Sequence, residues 1–323
     1  MLPLVSAIIP SYNGARYLEQ AVSSVINQKH KKLECIIVDD GSTDDTHQLC
    51  QNLMKKDPRI KYVYQSNGGP GAARNRGIKE SKGEWVQLLD SDDWLNENKI
   101  KFQLDYFSKT AKNADDNIVL FSDYHVISVD THQNILKEET QVFGNLSAEQ
   151  LLHRILAWND KDDSPLHCNN VLIKRSVLDR DLFNEAQTAF TDLEFFVRLL
   201  THKVKFIYTP IIGMHFRRHP TSRTTNSRYC QKAYVGYLEL LYKRQKELLG
   251  HIPHIEKKMQ AAFNRGDKEL FFRFLKIYHR PVTLQIGPIR IKTRSCSKFF
   301  FYLNLVKKKL RWFLRSKILR LFK

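Results

Sequence analysis

The feature that most constrains the fold is a rhythm in the first 95 residues. Short apolar runs alternate with segments of helical spacing, and each run is closed by proline, glycine or acidic residues. The runs are Leu4–Ile9 closed by Pro10, Leu33–Val38 closed by Asp39-Asp40-Gly41-Ser42, Ile60–Tyr64 ahead of Asn67-Gly68-Gly69-Pro70-Gly71, and Trp85–Leu89 closed by Asp90-Ser91-Asp92-Asp93. Runs this short make strands rather than helices. Between them, Tyr17–Gln28 carries Leu18, Ala21, Val22 and Val25 at helical steps, Ser42-Thr43-Asp44 offer N-caps for a helix through Met54, and Ala72–Ser81 is helical. Strands alternating with helices predict an α/β fold with a mostly parallel central sheet flanked by helices. Ligands of such sheets bind beyond the carboxyl ends of the strands, where these closures lie.

The fourth closure places three carboxylates in four positions. Like charges packed so closely repel, and a hard cation such as Mg²⁺ or Mn²⁺ would neutralise them. The competing reading is a solvated acidic turn with Asp92 capping the next helix. The glycine-rich loop could cradle a phosphate at a helix N-terminus. It matches neither G-x-G-x-x-G nor a P-loop, so a plain strand-to-helix turn accounts for it equally well. Arg74 and Arg76 are then either solvated or reaching for an anion.

Further along, a helix is expected over Lys99–Thr110, a strand over Ile118–Ser122, a hairpin or loop over Asp130–Leu146, and a short helix over Ala148–Trp158. A strand over Asn169–Lys174, a helix over Phe190–Leu200 and a last strand over Lys205–Tyr208 follow, then a cationic loop from His215 to Ser222. Two helices are expected between Cys230 and Ile277. The formal net charge is +18, and thirteen Lys or Arg with no Asp or Glu fall between Arg280 and Lys323, so the rest is only mildly basic. Five cysteines without a C-x-x-C pair suggest neither a disulfide framework nor a zinc site. The first apolar run lacks a basic flank and is cut by Pro10, and no uncharged run is long enough to span a bilayer. A cytoplasmic location is expected.

With the residues in order, a family resemblance emerges. Val5–Tyr12 followed by Asn13, Ile36-Ile37-Val38-Asp39-Asp40-Gly41-Ser42-Thr43-Asp44, Gly71-x-Ala73-Arg74-Asn75-x-Gly77-Ile78 and Leu89-Asp90-Ser91-Asp92-Asp93 resemble the inverting glycosyltransferases of family 2. Phe183-Asn184-Glu185, Thr191-Asp192 with Arg198, and Phe216-Arg217-x-His219-x-x-Ser222 resemble that family's later motifs. The match covers about the first 225 residues. It implies the GT-A fold, with a nucleotide-sugar half near 1–95 and an acceptor half near 96–225 sharing one sheet. A helical extension over 226–280 and a basic tail over 281–323 would follow. The family usually has Glu-Asp where this chain has Thr191-Asp192, which leaves open whether Asp192 or Glu194 faces the sugar.

The resemblance assigns roles. Asp192 is the implied catalytic base that deprotonates the acceptor hydroxyl, against the alternative of a simple N-cap. Asp92 is the metal ligand, supported by Asp90 through water or through the donor ribose, with Asp93 set aside as a cap for the next helix. Pro10, Tyr12, Asp39 and Asp40 surround the base, with Asp40 accepting from a uracil or thymine N3–H. Arg74, Ser91, Arg217 and His219 complete the donor site, the last two as a clamp on the diphosphate or, alternatively, as a solvated basic loop. The expected cofactor is Mn²⁺ or Mg²⁺, the donor a UDP-sugar, and the acceptor a glycan or lipid-linked glycan of envelope polysaccharide assembly.

Residues 299–323 alternate apolar and aromatic positions with Lys and Arg in the pattern of a basic amphipathic helix. It is expected to lie on an anionic membrane, holding the protein at the cytoplasmic face of the inner membrane. A helix packed on the domain and a nucleic-acid patch are the alternatives, the latter without any nucleic-acid module to support it, so no nucleic-acid partner is expected. A sugar-nucleotide-binding or scaffold protein without turnover is the rival to the enzyme reading, and a nucleotidyltransferase lacks its basic glycine-rich entry.

Overall fold

The computed structural model describes residues 2–110, 117–156, 164–187, 190–222, 282–286 and 289–293. The chain divides into two compact units, Met1–Ala233 and Tyr234–Lys323. In the first unit the elements run β1 (Val5–Ser11), α1 (Ala15–Ile26), β2 (Leu33–Asp39), α2 (Thr46–Lys56), β3 (Ile60–Tyr64), α3 (Gly69–Glu80), β4 (Trp85–Leu88), β5 (Trp94–Leu95) and α4 (Lys99–Thr110). They continue with β6 (Ile118–Val129), β7 (Ile135–Gln141), α5 (Ala148–Leu156), β8 (Val171–Lys174), α6 (Arg175–Leu178), α7 (Thr191–Thr201) and β9 (Lys205–Arg218). In the second unit, β10 (Val282–Ile286) and β11 (Ile289–Thr293) form an antiparallel hairpin, in a stretch read above as part of the basic tail. The expected helices between 230 and 277 and the amphipathic helix of 299–323 lie outside the described residues.

One sheet runs in the order β3-β2-β1-β4-β8-β6-β9-β5, with β7 paired to β6. The α/β class is as the alternation predicts. Its parallel character is concentrated in β3-β2-β1-β4 and in β6 with β9, while β8 enters antiparallel between β4 and β6. The central strands β1 and β2 are buried along nearly all of their length, which explains why they read as continuous apolar runs. Helix α1 turns Leu18, Ala21, Val22 and Val25 inward. Helix α3 approaches more closely still: a Cβ on Gly77 would overlap Ile8 Cγ2 and lie 3.2 Å from Val38 Cγ2.

Of the two alternatives for 130–146 the structure has the hairpin: its centre is β7, paired onto a β6 that extends to Val129. Two expectations are corrected. The last strand does not end at Tyr208 but carries on through Arg218, so His215-Phe216-Arg217-Arg218 belong to β9 and only His219–Ser222 follow it as a loop. Helix α2 starts at Thr46, and Asp44 serves its entrance by accepting from the Thr46 N–H at 3.1 Å and hydroxyl at 2.5 Å, and from the Ala15 N–H at 3.1 Å.

A buried lysine sits beneath the sheet. Lys99 is fully buried, and its Nζ donates to the Gln87 Oε1, to the Gln103 Oε1 at 2.9 Å and to the Val171 carbonyl at 3.2 Å. Burial holds its pKa well below that of an ordinary lysine.

Candidate active site

The carboxyl ends of β1, β2 and β4 meet where the closures predicted, and the acidic turn after β4 is the hub. Its three aspartates occupy distinct environments. Asp92 keeps about a third of its side chain exposed, and its Oδ2 lies 3.2 Å from the His219 Nε2. Asp90 accepts from the Arg74 Nη2 at 2.7 Å, and its own N–H donates to the Asn169 Oδ1 at 2.8 Å. Asp93 caps no helix. It is buried, with Oδ1 accepting from the Arg217 N–H at 2.7 Å and Oδ2 from the Asn169 Nδ2. Burial first, then the charges of Asp92 and Asp90, push its carboxyl well above the ordinary range. The turn is thus crowded with negative charge that its own partners only partly offset.

Asn169 is the residue that sequence reading missed. Standing just before β8, it holds the backbone of Asp90 and the carboxylate of Asp93 with one amide, and it is itself buried. A single asparagine in an unremarkable stretch carries no spacing signal.

Arg74 joins this turn to the second half of the fold. It is buried; Nη2 reaches Asp90 and Nη1 donates to the Thr191 Oγ1 at 2.9 Å, while its guanidinium lies 5.3 Å from the Phe183 ring. Nε has no partner among the described residues. Arg76, by contrast, pairs with Glu80 on the surface of α3. Thr191 opens α7 after Phe190, which holds the left-handed backbone (φ 54°) uncommon for a bulky residue. Asp192 follows in the first turn, with 28% of its side chain exposed and Oδ2 4.0 Å from the His167 Nδ1. It is not the residue that caps α7; its Oδ1 accepts from the Leu193 N–H at 2.9 Å. Glu194 is buried against Arg198, at 3.1 Å from Nε. Of the two acids at the head of α7, Asp192 is therefore the accessible one.

The remaining expected donor contacts divide. Tyr12 is 44% exposed and Pro10 half-buried at the end of β1. Ser91 is half-buried, its Oγ 3.1 Å from the Cβ position of Gly14. Asp40 accepts from the Gln65 Nε2, the Gly68 N–H and the Gly69 N–H, each at 2.8 Å. The glycine loop is therefore built around a carboxylate of the protein itself. Asp39 is 1% exposed, and its oxygens accept from the Ser42 N–H and the Tyr62 hydroxyl, both at 2.8 Å, so it braces the turn.

Of the two alternatives for Arg217, the solvated one does not hold: the side chain is buried. Its guanidinium lies 4.4 Å from the Tyr17 ring and 4.8 Å from the Trp94 ring, with Gln20 Oε1 and Gln133 Oε1 accepting from it. Trp94 stacks in turn on His215, and His215 on His125. Burial, then His125, lowers the His215 pKa to about 4, which keeps that ring neutral in the stack. Arg217 is a strut that fixes the end of β9, and two residues on, His219 meets Asp92.

Among the described residues, no cluster of three His, Cys, Asp or Glu is arranged to hold a metal by protein ligands alone. The residues do fit a cation shared with a ligand. Mg²⁺-type ions take one or two carboxylates and fill the remaining positions with phosphate oxygens and water. Asp92 is open, Asp90 is adjacent, and Asp93 adds a third carboxyl to the same turn.

Comparison with known proteins agrees with this geometry. The family model described as Glycosyl transferase family 2 matches residues 6–180. An uncharacterised glycosyltransferase of Rickettsia typhi is 30% identical over 78% of this chain and 77% of its own length. A Bacillus subtilis protein named for teichuronic acid biosynthesis, the glycosyltransferase TuaG, is 46% identical over 34% of this chain and 44% of its own length. Against several other curated relatives the match covers less than half of the relative, down to 15% of one from Rickettsia bellii. Among solved structures, Staphylococcus aureus TarS 1–349 in complex with UDP-GlcNAc has a TM-score of 0.58 at 17% identity, over 84% of this chain and 79% of that one. The mannosyltransferase PcManGT of Pyrobaculum calidifontis, in complex with GDP-Man and Mn²⁺, has a TM-score of 0.53 at 17% identity, over 84% of this chain and 78% of that one. These structures share the expected GT-A arrangement. With a family model over more than half of its length and a relative aligned across most of it, this chain belongs to glycosyl transferase family 2.

Proposed function

We propose that this protein is an inverting glycosyltransferase that moves a sugar from a UDP-linked donor to a glycan or lipid-linked acceptor in envelope polysaccharide assembly. The observation that carries the reading is the Arg74 guanidinium, which joins the acidic turn at Asp90 to Thr191, the neighbour of Asp192. Two carboxylates with different tasks are thereby held at one site. UDP-GlcNAc bound to TarS and GDP-Man with Mn²⁺ bound to PcManGT support a nucleotide-sugar and a divalent cation. The name of TuaG supports the envelope setting.

In this reading Asp92, with Asp90 behind it, holds Mn²⁺ or Mg²⁺ against the donor diphosphate. When bound, the cation offsets the negative charge that grows on the leaving group. Tyr12 offers an exposed ring to the base, and the Asp40 Oδ2, which accepts one hydrogen bond here, has room for the imide N–H of uracil. His219 keeps Asp92 oriented. Asp192, partly exposed at the positive end of α7, takes the acceptor hydroxyl proton. Residues 1–225 are the catalytic part. The basic tail of 281–323 is proposed, from its sequence pattern, to hold the enzyme at the cytoplasmic face of an anionic membrane, each Lys or Arg near the surface contributing about 1 kcal/mol.

The test is a panel of nucleotide-sugars assayed for Mn²⁺-dependent hydrolysis and transfer, with Asp192→Asn and Asp92→Ala alongside. Asp192→Asn should abolish transfer and leave donor binding intact; Asp92→Ala should weaken metal-dependent donor binding. Turnover by Asp192→Asn at the wild-type rate would refute the base, and donor binding without turnover in the wild type would favour a binding protein.

A further inference from the structure

A chain of polar groups runs behind Asp192. The Tyr124 hydroxyl, on β6, lies 2.8 Å from the Ser164 carbonyl and 3.1 Å from the His167 Nε2. A carbonyl can only accept, so the tyrosine O–H donates to Ser164 and its oxygen accepts from the imidazole. His167 is thereby set as the Nε2–H tautomer. The ring is held on two sides: Phe216 of β9 stacks on it at 5.4 Å, and Tyr124 meets it edge-on at 5.1 Å. Its Nδ1 lies 4.0 Å from the Asp192 Oδ2.

An imidazole lone pair beside a carboxylate that has just gained a proton offers that proton a second site. We infer that His167 is the proton-holding partner of Asp192. This rests on reading Asp192 as the base. As the acceptor oxygen bonds to the anomeric carbon, the bond from that carbon to the diphosphate breaks and its electron pair leaves with the diphosphate. The hydroxyl proton moves to the Asp192 Oδ2 and from there to the His167 Nδ1. The carboxylate is restored, paired with an imidazolium that later returns its proton to solvent. The 4.0 Å gap is the kind of loose contact that tightens when substrate binds. His167 touches no reacting atom, so its role is positional, exerted through Asp192.

Among the described residues, Arg74 from α3 and Cys168 from the segment before β8 interact electrostatically with Asp192; Tyr124 from β6 faces His167, and Arg218 of β9 lies 5.9 Å from the centre of the Phe216 ring. His167, at 4.0 Å, is the neighbour placed to take the proton up.

The test has two arms. In the first, pH profiles of kcat and the donor KM are measured for wild type and His167→Gln. The wild type should lose kcat on the acid side along a single limb in the imidazole range. His167→Gln should lose that limb, drop on the order of 10–100-fold in kcat near neutral pH, and keep its donor KM. A limb that persists in the variant overturns the inference. The second arm needs neither turnover nor a folded variant at position 167: nitrogen NMR of the wild-type imidazoles. His167 should be the Nε2–H tautomer at alkaline pH, and Asp192→Asn should lower its titration midpoint. An Nδ1–H tautomer, or a midpoint indifferent to Asp192, overturns the pairing. A wild type without transferase activity would sink the functional reading instead, and the NMR arm would still decide the pairing.

Discussion

Replacing Asn169 with alanine probes the hub directly. The substitution removes three hydrogen bonds from the acidic turn: one from the Asp90 N–H, a long one of 3.4 Å to the Asp90 Oδ2, and one to the buried Asp93 carboxyl. Asp90 is only part-buried, so water replaces some of the first loss, which is put at about 1 kcal/mol. Asp93 is 1% exposed and keeps the Arg217 N–H, so its loss is larger, about 1–3 kcal/mol for a buried acceptor stripped of a partner. Together the expected destabilisation is roughly 2–4 kcal/mol, read as a lower urea midpoint with an unchanged slope. Asn169→Asp is the sharper control because it keeps the shape and turns the donor into a third carboxylate. That carboxyl, facing Asp93 and Asp90, would have a folded pKa raised above its unfolded value. Its cost is therefore small below the unfolded pKa and grows as pH rises through the folded one. Urea melts near pH 5 and near pH 8 should show Asn169→Asp closer to wild type at the acid end. A shift under about 0.5 kcal/mol for the alanine variant, or a pH-independent penalty for the aspartate variant, would refute the assignment of Asn169 as the brace.

Other perturbations read other parts of the fold. Gly77→Ala forces a methyl into Ile8 and Val38 and should cost about 1–3 kcal/mol by calorimetry, without changing the donor KM of the protein that remains folded. Arg217→Ala empties the space between Tyr17 and Trp94 and loosens the end of β9; stability should fall, and Mn²⁺-dependent donor binding should weaken because His219 is no longer held on Asp92. Lys99 has a folded pKa lowered by burial, so between that value and the unfolded one the unfolded chain binds the extra proton and stability rises with pH. Lys99→Met lacks this term, so the stability of wild type relative to the variant should increase from about pH 7 to about pH 10 in urea melts.

The strands, their order along the chain and the position of the acidic turn were legible because burial imposes apolar periodicity. Four short runs closed by polar residues can hardly be anything but an α/β sheet. The misreadings share one cause. Arg217 looks solvated in sequence because cations at strand ends usually are, yet here two aromatic rings distant in sequence, Tyr17 and Trp94, supply its environment. The same stacking lets β9 run past Pro210 to Arg218 with polar side chains that would otherwise mark a loop. Asp39 and Asp40 form one doublet in sequence, but alternation along the strand end sends the first to Tyr62 and the second to the glycine loop. Asn169 and His167 act through single contacts that no spacing announces.

The carboxylate of Asp40 at the mouth of α3 has a wider consequence. A helix opening that would otherwise collect phosphate or sulfate from solution already carries a resident anion, anchored through two glycine amides. Inorganic anions should compete poorly there, leaving the donor's own pyrophosphate to find its counter-charge across the cleft. Base selection and loop shape are also welded together: the group proposed to read the base is the one that keeps residues 65–69 folded, so neither can evolve without the other.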